Sequence, residues 1–210
     1  MNLTTQFTKA QTQSGFDWQL SQEINVTDES GQVIAKAEIE LITMNKHRDA
    51  IASYNLLDAQ EATDWEIPLN IYFKGHNLTN EYCDLLQVTA DAKKAKTHIL
   101  IEAFSVVPAY RKKGVAKYLL QEIAKQYEKI QSINVISMPL NLFLDPEFCE
   151  NENNASYYQA LDLPNETIGR TELVSFFTKT GFSQVKLDES ELTEPLPFDV
   201  FVASPKTIMA

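Results

Sequence analysis

A dense cluster of positive charge surrounds one glycine in an otherwise acidic chain. The sequence has 210 residues, 29 of them acidic and 18 basic, and its formal net charge is −11. Four basic side chains nevertheless fall close around Gly114, namely Arg111, Lys112, Lys113 and Lys117. Positive charge at the start of a helix opposes the helix dipole by about 0.3–1 kcal/mol per charge. Helix stability therefore does not account for the cluster.

The chemistry that this pattern favours is the binding of an anion, phosphate above all. The cluster lies where the strand-like stretch 98–107 gives way to helical spacing from Gly114 onward. A strand that turns tightly into a helix leaves backbone N–H groups unpaired and presents the positive end of the helix dipole. Gly114 lets a ligand approach the backbone closely, because it has no side chain. The alternative is a solvated basic helix start without a ligand.

At this point the residues resemble a known family. Arg111–Ala116 is similar to the [QR]-x-x-G-x-[GA] signature of the GNAT superfamily of acyl-CoA-dependent N-acetyltransferases. Val106–Tyr110 precedes it as the family's fourth strand and loop would, and Lys117–Leu120 continues into the long helix. A second marker, "FFTKTGF" at Phe176–Phe182, resembles the Phe-Tyr-Glu-Lys-Leu-Gly-Phe helix end of the family. The resemblance covers roughly residues 98–204.

This resemblance implies acetyl-CoA as the co-substrate. In the family, the backbone amides of the turn hold the coenzyme A pyrophosphate, and the end of the fourth strand bonds the pantetheine arm where the fourth and fifth strands splay apart. The cofactor-binding residues implied by this correspondence are Val106, Val107, Arg111, Lys112, Lys113, Gly114, Val115, Ala116 and Lys117.

The implied reaction is direct attack of a primary amine on the thioester, with help from a general base. An amine with a pKa near 10.4 is only about a thousandth neutral at pH 7, so a positioned carboxylate assists by accepting its proton. Alternation along the strand puts Glu102 in phase with Phe104 and Val106. It resembles the glutamate that many members use as base. A cross-strand charge partner is the alternative role for Glu102.

The general acid is a departure from the family. Many members supply a tyrosine from the helix end, whereas Phe177 stands at that position here. Tyr157, Tyr158 and Tyr110 are the substitute candidates, and ordinary packing or surface tyrosine is the alternative. Members also often carry an asparagine seven residues before that tyrosine, where this chain has Arg170. Both departures leave the acid and one pantetheine contact open.

Periodicity predicts the elements that must position these groups. Alternating residues around the turn at 28–31 predict a hairpin over 17–43, and 46–75 is predicted helical with a break or kink at Pro68. The remaining predicted elements are strands at 98–107, 133–140 and 198–204 and helices at 114–130 and 171–182. This order predicts a mixed α/β (α+β) fold. The resemblance makes it a mostly antiparallel central sheet flanked by helices, with splayed fourth and fifth strands, in one domain over 1–210.

The segment 141–170 is acidic, irregular and longer than an ordinary connection. The family resemblance places it beside the acceptor cleft. Four carboxylates there would form a lid that attracts a cationic amine, namely Asp145, Glu147, Glu150 and Glu152. A solvated loop without substrate contact is the alternative.

Composition narrows the range of partners. The acidic balance disfavours nucleic acid, which is bound through Lys and Arg, and it suits a cationic small molecule or a basic protein tail. No apolar run is long enough to span a membrane, and the first residues lack the pattern of a secretory signal. Cys83 and Cys149 do not form a disulfide framework. We therefore expect a cytoplasmic protein without membrane or nucleic-acid partners.

The remaining alternatives differ in chemical class. The three histidines do not have metal-ligand spacing, so no metal is expected. A nucleotide-binding protein using the same basic turn lacks a Walker or a G-x-G-x-x-G motif. The main rival to an enzyme is a catalytically silent module of the same fold that binds acyl-CoA. A strand edge near Phe198–Ser204 offers a route to a homodimer.

Overall fold

The computed structural model describes residues 2–12, 16–45, 47, 50–58, 65–75, 77–88, 96–138, 157, 161–162, 166–187 and 196–210. The strands are β1 Thr4–Phe7, β2 Gln11–Thr12, β3 Gln19–Thr27, β4 Val33–Met44, β5 Phe73–Lys74, β6 Asn77–Leu78, β7 Lys96–Val106, β8 Ser132–Ser137, β9 Ser183–Val185 and β10 Asp199–Ala203. The helices are α1 Ala50–Asp58, α2 Glu66–Tyr72, α3 Asn80–Leu86, α4 Val115–Gln126, α5 Glu166–Lys179 and α6 Pro205–Met209.

One mixed sheet organises the described part of the chain. Its strand order is β1-β3-β4-β7-β8-β10-β9, with β2 attached to β3. Every recorded pair in it is antiparallel except β7 with β8, which run parallel. The predicted mixed, mostly antiparallel fold is therefore confirmed.

Two hydrophobic clusters cover the two faces of this sheet. Alternate residues of one strand supply both, since Phe201 of β10 belongs to one cluster and Val200 and Val202 belong to the other. The first cluster joins the sheet to the apolar side of α4, including Leu119. The second cluster packs α2 and α3 on the opposite face. This packing from both sides holds the central strands in place.

β7 and β8 are the strands that correspond to the fourth and fifth strands of the family pattern. They separate part of the way along β7, as the predicted splay requires. Their pairing runs only from His98 opposite Ser132 to Ile101 opposite Val135. Beyond Ile101, β7 continues to Val106 with β4 as its recorded neighbour. Within the described residues, the second half of β7 therefore has one free edge, on the side away from β4.

Several helices and strands begin or end at residues other than the predicted ones. The stretch predicted as one helix over 46–75 contains α1, α2 and the short strand β5, and Pro68 lies in the first turn of α2, where its missing N–H costs no helical hydrogen bond. α5 begins at Glu166, five residues before the predicted start at 171. β1, β9, α3 and α6 were not predicted, because short elements give weak periodicity.

The predicted free edge at Phe198–Ser204 is wrong. β10 pairs with β8 along its whole length and with β9 over Val200–Val202. It is an interior strand, so it does not offer an edge for a second copy of the chain.

A buried histidine lies where β7 and β8 begin to pair. His98 is fully buried, and its Nδ1 lies 2.8 Å from Ser132 Oγ. Its Nε2 finds no hydrogen-bond partner among the described residues. Burial, assisted by the charge of Lys96, lowers the pKa of His98 from 6.5 to about 3. The imidazole is therefore structural and neutral at physiological pH.

This histidine predicts a loss of stability in acid. The unfolded His98 takes up a proton below about pH 6.5, whereas the folded one does so only near pH 3. The free energy of unfolding should therefore fall as pH decreases through that window, by up to about 1.4 kcal/mol per pH unit from this group. His98→Gln should flatten the slope in urea titrations between pH 4 and about 6.5. His47→Gln, at an exposed position, is the matched control. Equal slopes in the two variants would contradict the assignment.

Candidate functional site

The basic cluster occupies a short turn between β7 and α4. A 3-10 turn at Pro108–Tyr110 follows the strand, because proline cannot continue its pairing, and α4 begins at Val115. Two residues of the connection have left-handed backbone, Lys112 with φ 59° and Gly114 with φ 84°. Glycine adopts this conformation at little cost, whereas a lysine does not. The strain at Lys112 marks the turn as a candidate functional segment.

The amides of this turn are open. Arg111 N–H donates to Pro108 O, and the next recorded backbone donor is Tyr118 N–H, which bonds Gly114 O. Within the described residues, no amide from Lys112 to Lys117 donates to a backbone carbonyl, and α4 has no side-chain cap. Left-handed residues alternating along such a turn aim successive N–H groups into one concavity, and the helix dipole adds to its positive potential. Such an arrangement can hold an anion.

The free edge of β7 leads directly to this turn. Val107 N–H donates to Ile34 O on β4 at 3.0 Å. Antiparallel alternation then points the backbone groups of Phe104 and Val106 the other way, into the gap left by β8. An extended ligand with amide groups could pair with that edge as a strand does. Phe104, which the sequence analysis did not single out, joins Val106 there through its backbone.

Val107 was predicted to contact the co-substrate through its backbone, and the structure gives that backbone other partners. Its N–H is used by Ile34 O, and its carbonyl accepts from Tyr110 N–H. Both backbone groups thus already bond within the protein. The contact left for a ligand lies one residue earlier, at the Val106 N–H, because the Val106 carbonyl accepts from Arg111 Nε.

The basic side chains of the turn have separate partners. Arg111 donates from Nε to Val106 O at 3.0 Å and from Nη1 to Asp162 O at 3.1 Å, and its Nη2 bonds Leu161 O. Its guanidinium therefore braces the strand end against residues 161–162 instead of pointing freely at an anion. Lys112 pairs with Glu172 at 3.3 Å, with both side chains largely exposed.

Two further lysines complete the positive surface. Lys113 Nζ lies 5.5 Å from the ring centroid of Tyr110, and its side chain remains exposed. Lys117 is exposed on the first turn of α4. Val115 is fully buried in the core, so it contributes only its amide, and Ala116 beside it is partly buried. The structure brings all the predicted turn residues together.

Glu102 lies where β7 leaves β8. It is partly buried and is the first residue beyond the paired segment, which ends at Ile101. The register of β7 on β4 shifts at this point, since Ile101 and Ala103 face consecutive residues of β4 and Glu102 is the extra residue of a bulge. The phase of Glu102 with Phe104 stays a prediction, because alternation does not fix the direction of a residue inside a bulge. A bulge changes the direction of the side chains around it, and this one lies where β7 and β8 separate.

Phe177 stands where the family resemblance predicts the usual acid. Phe177 is 2% exposed and packs among aromatic rings. Its ring neighbours are Phe104, Phe176, Phe182 and Phe201. Arg170, at the family's asparagine position, donates from Nε to Asp199 Oδ2 at 2.8 Å and from Nη1 to Leu196 O at 2.9 Å. Arg170 therefore ties α5 to β10.

The substitute tyrosines differ in what they contact. Tyr157 is buried, its hydroxyl lies 2.9 Å from Ser105 Oγ, and Lys36 Nζ lies 5.0 Å from its ring centroid. Burial raises the pKa of Tyr157 to about 12. The Tyr110 hydroxyl donates to Asp28 Oδ2 at 2.6 Å. Tyr158 and the acidic lid residues Asp145, Glu147, Glu150 and Glu152 lie outside the described residues.

A protein-family model matches part of this chain. Residues 71–161 match the model of the acetyltransferase (GNAT) family. This part of the chain is similar to GNAT acetyltransferases. The match includes β7, the basic turn, α4 and β8, so the resemblance seen in the motifs is confirmed. The match supports the predicted enzyme class, a GNAT-type N-acyltransferase.

Several solved structures of distant proteins are similar to this chain at low scores. A bacterial toxin is 11% identical with a TM-score of 0.42, covering 90% of this chain and 70% of its own. NAA60 from Arabidopsis thaliana in complex with acetyl-CoA is 14% identical with a TM-score of 0.39, covering 86% and 73%. A GNAT-family acetyltransferase from Staphylococcus aureus Mu50 is 10% identical with a TM-score of 0.36, covering 87% and 66%. None is similar enough to carry an argument about substrate.

Two searches give negative findings. No curated protein sequence matches this chain. In the ranges that the structure describes, no helix has the length and apolar character needed to cross a membrane.

The left-handed conformation of Gly114 predicts a binding defect on substitution. A Cβ there would meet no atom within 4 Å, so Gly114→Ala should cost only the backbone strain, about 1–2 kcal/mol, partly relieved by reshaping the turn. Reshaping should misalign the amides and weaken acetyl-CoA binding. Gly75→Ala is the matched control, with φ 64° and equal free space in the β5–β6 hairpin. Calorimetric titration with acetyl-CoA should separate the two variants, and equal affinities would contradict the role of the turn.

The three hydrogen bonds of Arg111 predict that its replacement destabilises the fold more than replacement of its neighbour Lys112 does. Arg111→Gln should lower the free energy of unfolding by about 1–2 kcal/mol, because it removes bonds from a charged donor to three carbonyls. Lys112→Gln removes only an exposed ion pair and should cost less than about 0.5 kcal/mol. Urea denaturation of both variants measures the difference. Equal losses would show that the Arg111 contacts do not stabilise the fold.

Proposed function

We propose that the chain is an N-acetyltransferase that transfers the acetyl group of acetyl-CoA to a primary amine of a small molecule or a protein. The observation that carries this proposal is the continuity of two open backbone surfaces. The free edge of β7 at Phe104 and Val106 runs straight into the open amides of Lys112–Lys117. A ligand with an amide-containing arm and a pyrophosphate matches that sequence of contacts.

The residues present fit acetyl-CoA. The open amides of the turn would hold the pyrophosphate, with Lys113 and Lys117 adding charge at its margin. The backbone of Val106 and Phe104 would bond the pantetheine arm. When bound, acetyl-CoA supplies an acetyl group already activated as a thioester.

The acceptor is expected to be cationic in its resting state. A net charge of −11 attracts amines and repels other anions, apart from the basic turn that admits the co-substrate. The proposed acidic lid at Asp145, Glu147, Glu150 and Glu152 would add to this attraction. A neutral amine must form before attack, so a group that accepts its proton is needed.

Glu102 is the proposed general base. It occupies the bulge where β7 and β8 part, next to the edge that would hold the thioester arm. The Glu102 carboxylate accepts one proton from the resting ammonium, directly or through a water, and the neutral amine nitrogen then forms its bond to the acetyl carbon. The second proton leaves the nitrogen to solvent as the amide forms. The carbon–sulfur bond breaks, and the sulfur leaves as a thiolate. Its conjugate thiol has a pKa of about 8.5, so departure needs little help.

A side-chain acid is not required for that departure. Phe177 is unable to donate a proton, and Tyr157 gives up its proton reluctantly, because burial raises its pKa to about 12. Transfer from Tyr157 to a thiolate would therefore be uphill. We propose that Tyr157 acts through its bond to Ser105, holding the end of β7, and that solvent protonates the thiolate.

A silent acyl-CoA-binding module is the second candidate. The aromatic packing around Phe177 favours it, because the position used elsewhere for the acid is filled by core. Such a module would bind acetyl-CoA through the same turn without releasing free thiol. A single domain over 1–210, a cytoplasmic location and the absence of nucleic-acid partners accompany both candidates as proposals.

The deciding experiment is an assay of thiol release from acetyl-CoA against a panel of amines. The panel should contain polyamines, aminoglycosides, small amino compounds, lysine peptides and peptides with free N-termini. The enzyme proposal predicts release that depends on at least one amine. Tight binding of acetyl-CoA without amine-dependent release across the panel would favour the silent module.

Replacement of Glu102 tests the mechanism. Glu102→Gln should lower turnover at pH 7 by about 10²–10⁴-fold with little change in acetyl-CoA affinity. It should also remove the rise of turnover with pH that ionisation of the carboxylate produces. Glu128→Gln, an exposed position just after α4, is the matched control. An unchanged pH profile in Glu102→Gln would exclude Glu102 as the base.

A further inference from the structure

The phosphate-binding turn is tied to a distant hairpin by one tyrosine. Tyr110, the residue just before the turn, donates its hydroxyl to Asp28 Oδ2 at 2.6 Å. Asp28 begins the turn between β3 and β4. Its other oxygen, Oδ1, accepts from Ser30 N–H at 2.9 Å, Ser30 Oγ at 2.6 Å and Gln32 N–H at 3.1 Å. One carboxylate thus shapes the hairpin turn and holds Tyr110.

A second contact reinforces this link. Val107 N–H donates to Ile34 O at the start of β4. The 3-10 turn between Val107 and Tyr110 is therefore held at both ends by the same hairpin. The ring of Tyr110 in turn lies under Lys113, whose Nζ is 5.5 Å from its centroid. The position of the hairpin therefore helps to determine the position of the segment that carries the open amides.

The charge of Asp28 has the wrong sign for direct anion binding. The Ser30 hydroxyl, followed by the Tyr110 hydroxyl, lowers the pKa of Asp28 to about 2, so the group is a carboxylate at neutral pH. A negative charge beside the turn repels phosphate. Its presence there is explained by geometry, since it fixes Tyr110 through a charge-assisted hydrogen bond.

We propose that Asp28 is a positioning residue for co-substrate binding, which acts through Tyr110 to hold the amides of Lys112–Ala116 in the arrangement that receives pyrophosphate. This inference rests on the proposed function. It adds a specific residue, far away in sequence, to the determinants of acetyl-CoA affinity. It also gives the β3–β4 hairpin a task in the site.

Two substitutions break the link in different ways. Tyr110→Phe keeps the ring beneath Lys113 and removes the hydroxyl. Asp28→Asn keeps an oxygen for the hairpin turn and removes the charge. Tyr127→Phe is the matched control, because that hydroxyl also bonds β3, through Gln22, but at the far end of α4. Affinity for acetyl-CoA is measured by calorimetry. Backbone rigidity of residues 112–116 in the free protein is measured by ¹⁵N order parameters.

The positioning role and electrostatics alone predict opposite effects of Asp28→Asn on the affinity for acetyl-CoA. Tyr110→Phe should weaken acetyl-CoA binding by about tenfold, as loss of one hydrogen bond to a charged group predicts. Asp28→Asn should weaken binding as well, although removal of a negative charge would by itself strengthen it. The double variant should be no weaker than the worse single one, because both remove the same bond. Order parameters over 112–116 should fall in both variants and stay unchanged in Tyr127→Phe.

The contrary outcomes are distinct. Unchanged affinity in Tyr110→Phe, or tighter binding in Asp28→Asn, would overturn the positioning role while leaving the acetyltransferase proposal intact. A wild-type protein that does not bind acetyl-CoA would overturn the proposed function and, with it, the positioning role for the co-substrate. Unchanged order parameters over 112–116 in Tyr110→Phe would overturn the mechanical link itself, whatever the protein binds.

Discussion

Beyond Ile101, β7 no longer has β8 as a neighbour, and the site depends on the backbone groups that this parting leaves free. Buried N–H and C=O groups need partners, so an open strand edge inside a packed fold calls for a ligand, a side chain or water. Arg111 satisfies one of these groups, because its side chain donates a hydrogen bond to the Val106 carbonyl. In the part of the chain that the structure describes, no strand pairs with the rest of this edge. The bulge at Glu102 lies at the point where pairing ends and brings a carboxylate to its mouth.

Packing on both faces of the sheet keeps this gap from closing. α4 is anchored by fully buried Val115, Leu119 and Ile123, so its N-terminus is fixed at the end of β7. With no side-chain cap on the helix and strained backbone at Lys112, the turn is an arrangement that the surrounding core imposes. An anion at the turn would satisfy the open amides. The acidity of the rest of the chain makes that basic turn stand out and favours a cationic acceptor.

The parts of this arrangement that are local in sequence could be predicted from it. The strand ending before Pro108, the turn at Gly114 and the helix after it follow from residue types and spacing, and the absence of a hydroxyl at Phe177 is visible in the sequence itself. What depends on distant pairing could not. The bulge at Glu102 comes from the register of β7 on β4, and the contacts of Arg111 with residues 161–162 join segments about 50 positions apart. The interior position of β10 likewise depends on β9, a strand too short to show periodicity.

The central claim is that the open amides between β7 and α4 are the binding site for the co-substrate's phosphates. An ¹H–¹⁵N NMR titration of the wild-type protein with acetyl-CoA tests it residue by residue. The account predicts that the largest amide shift changes fall at Lys112–Lys117, with a second group at Phe104 and Val106 on the free edge of β7. Saturable changes centred elsewhere in the protein, with this turn and edge unaffected, would contradict it.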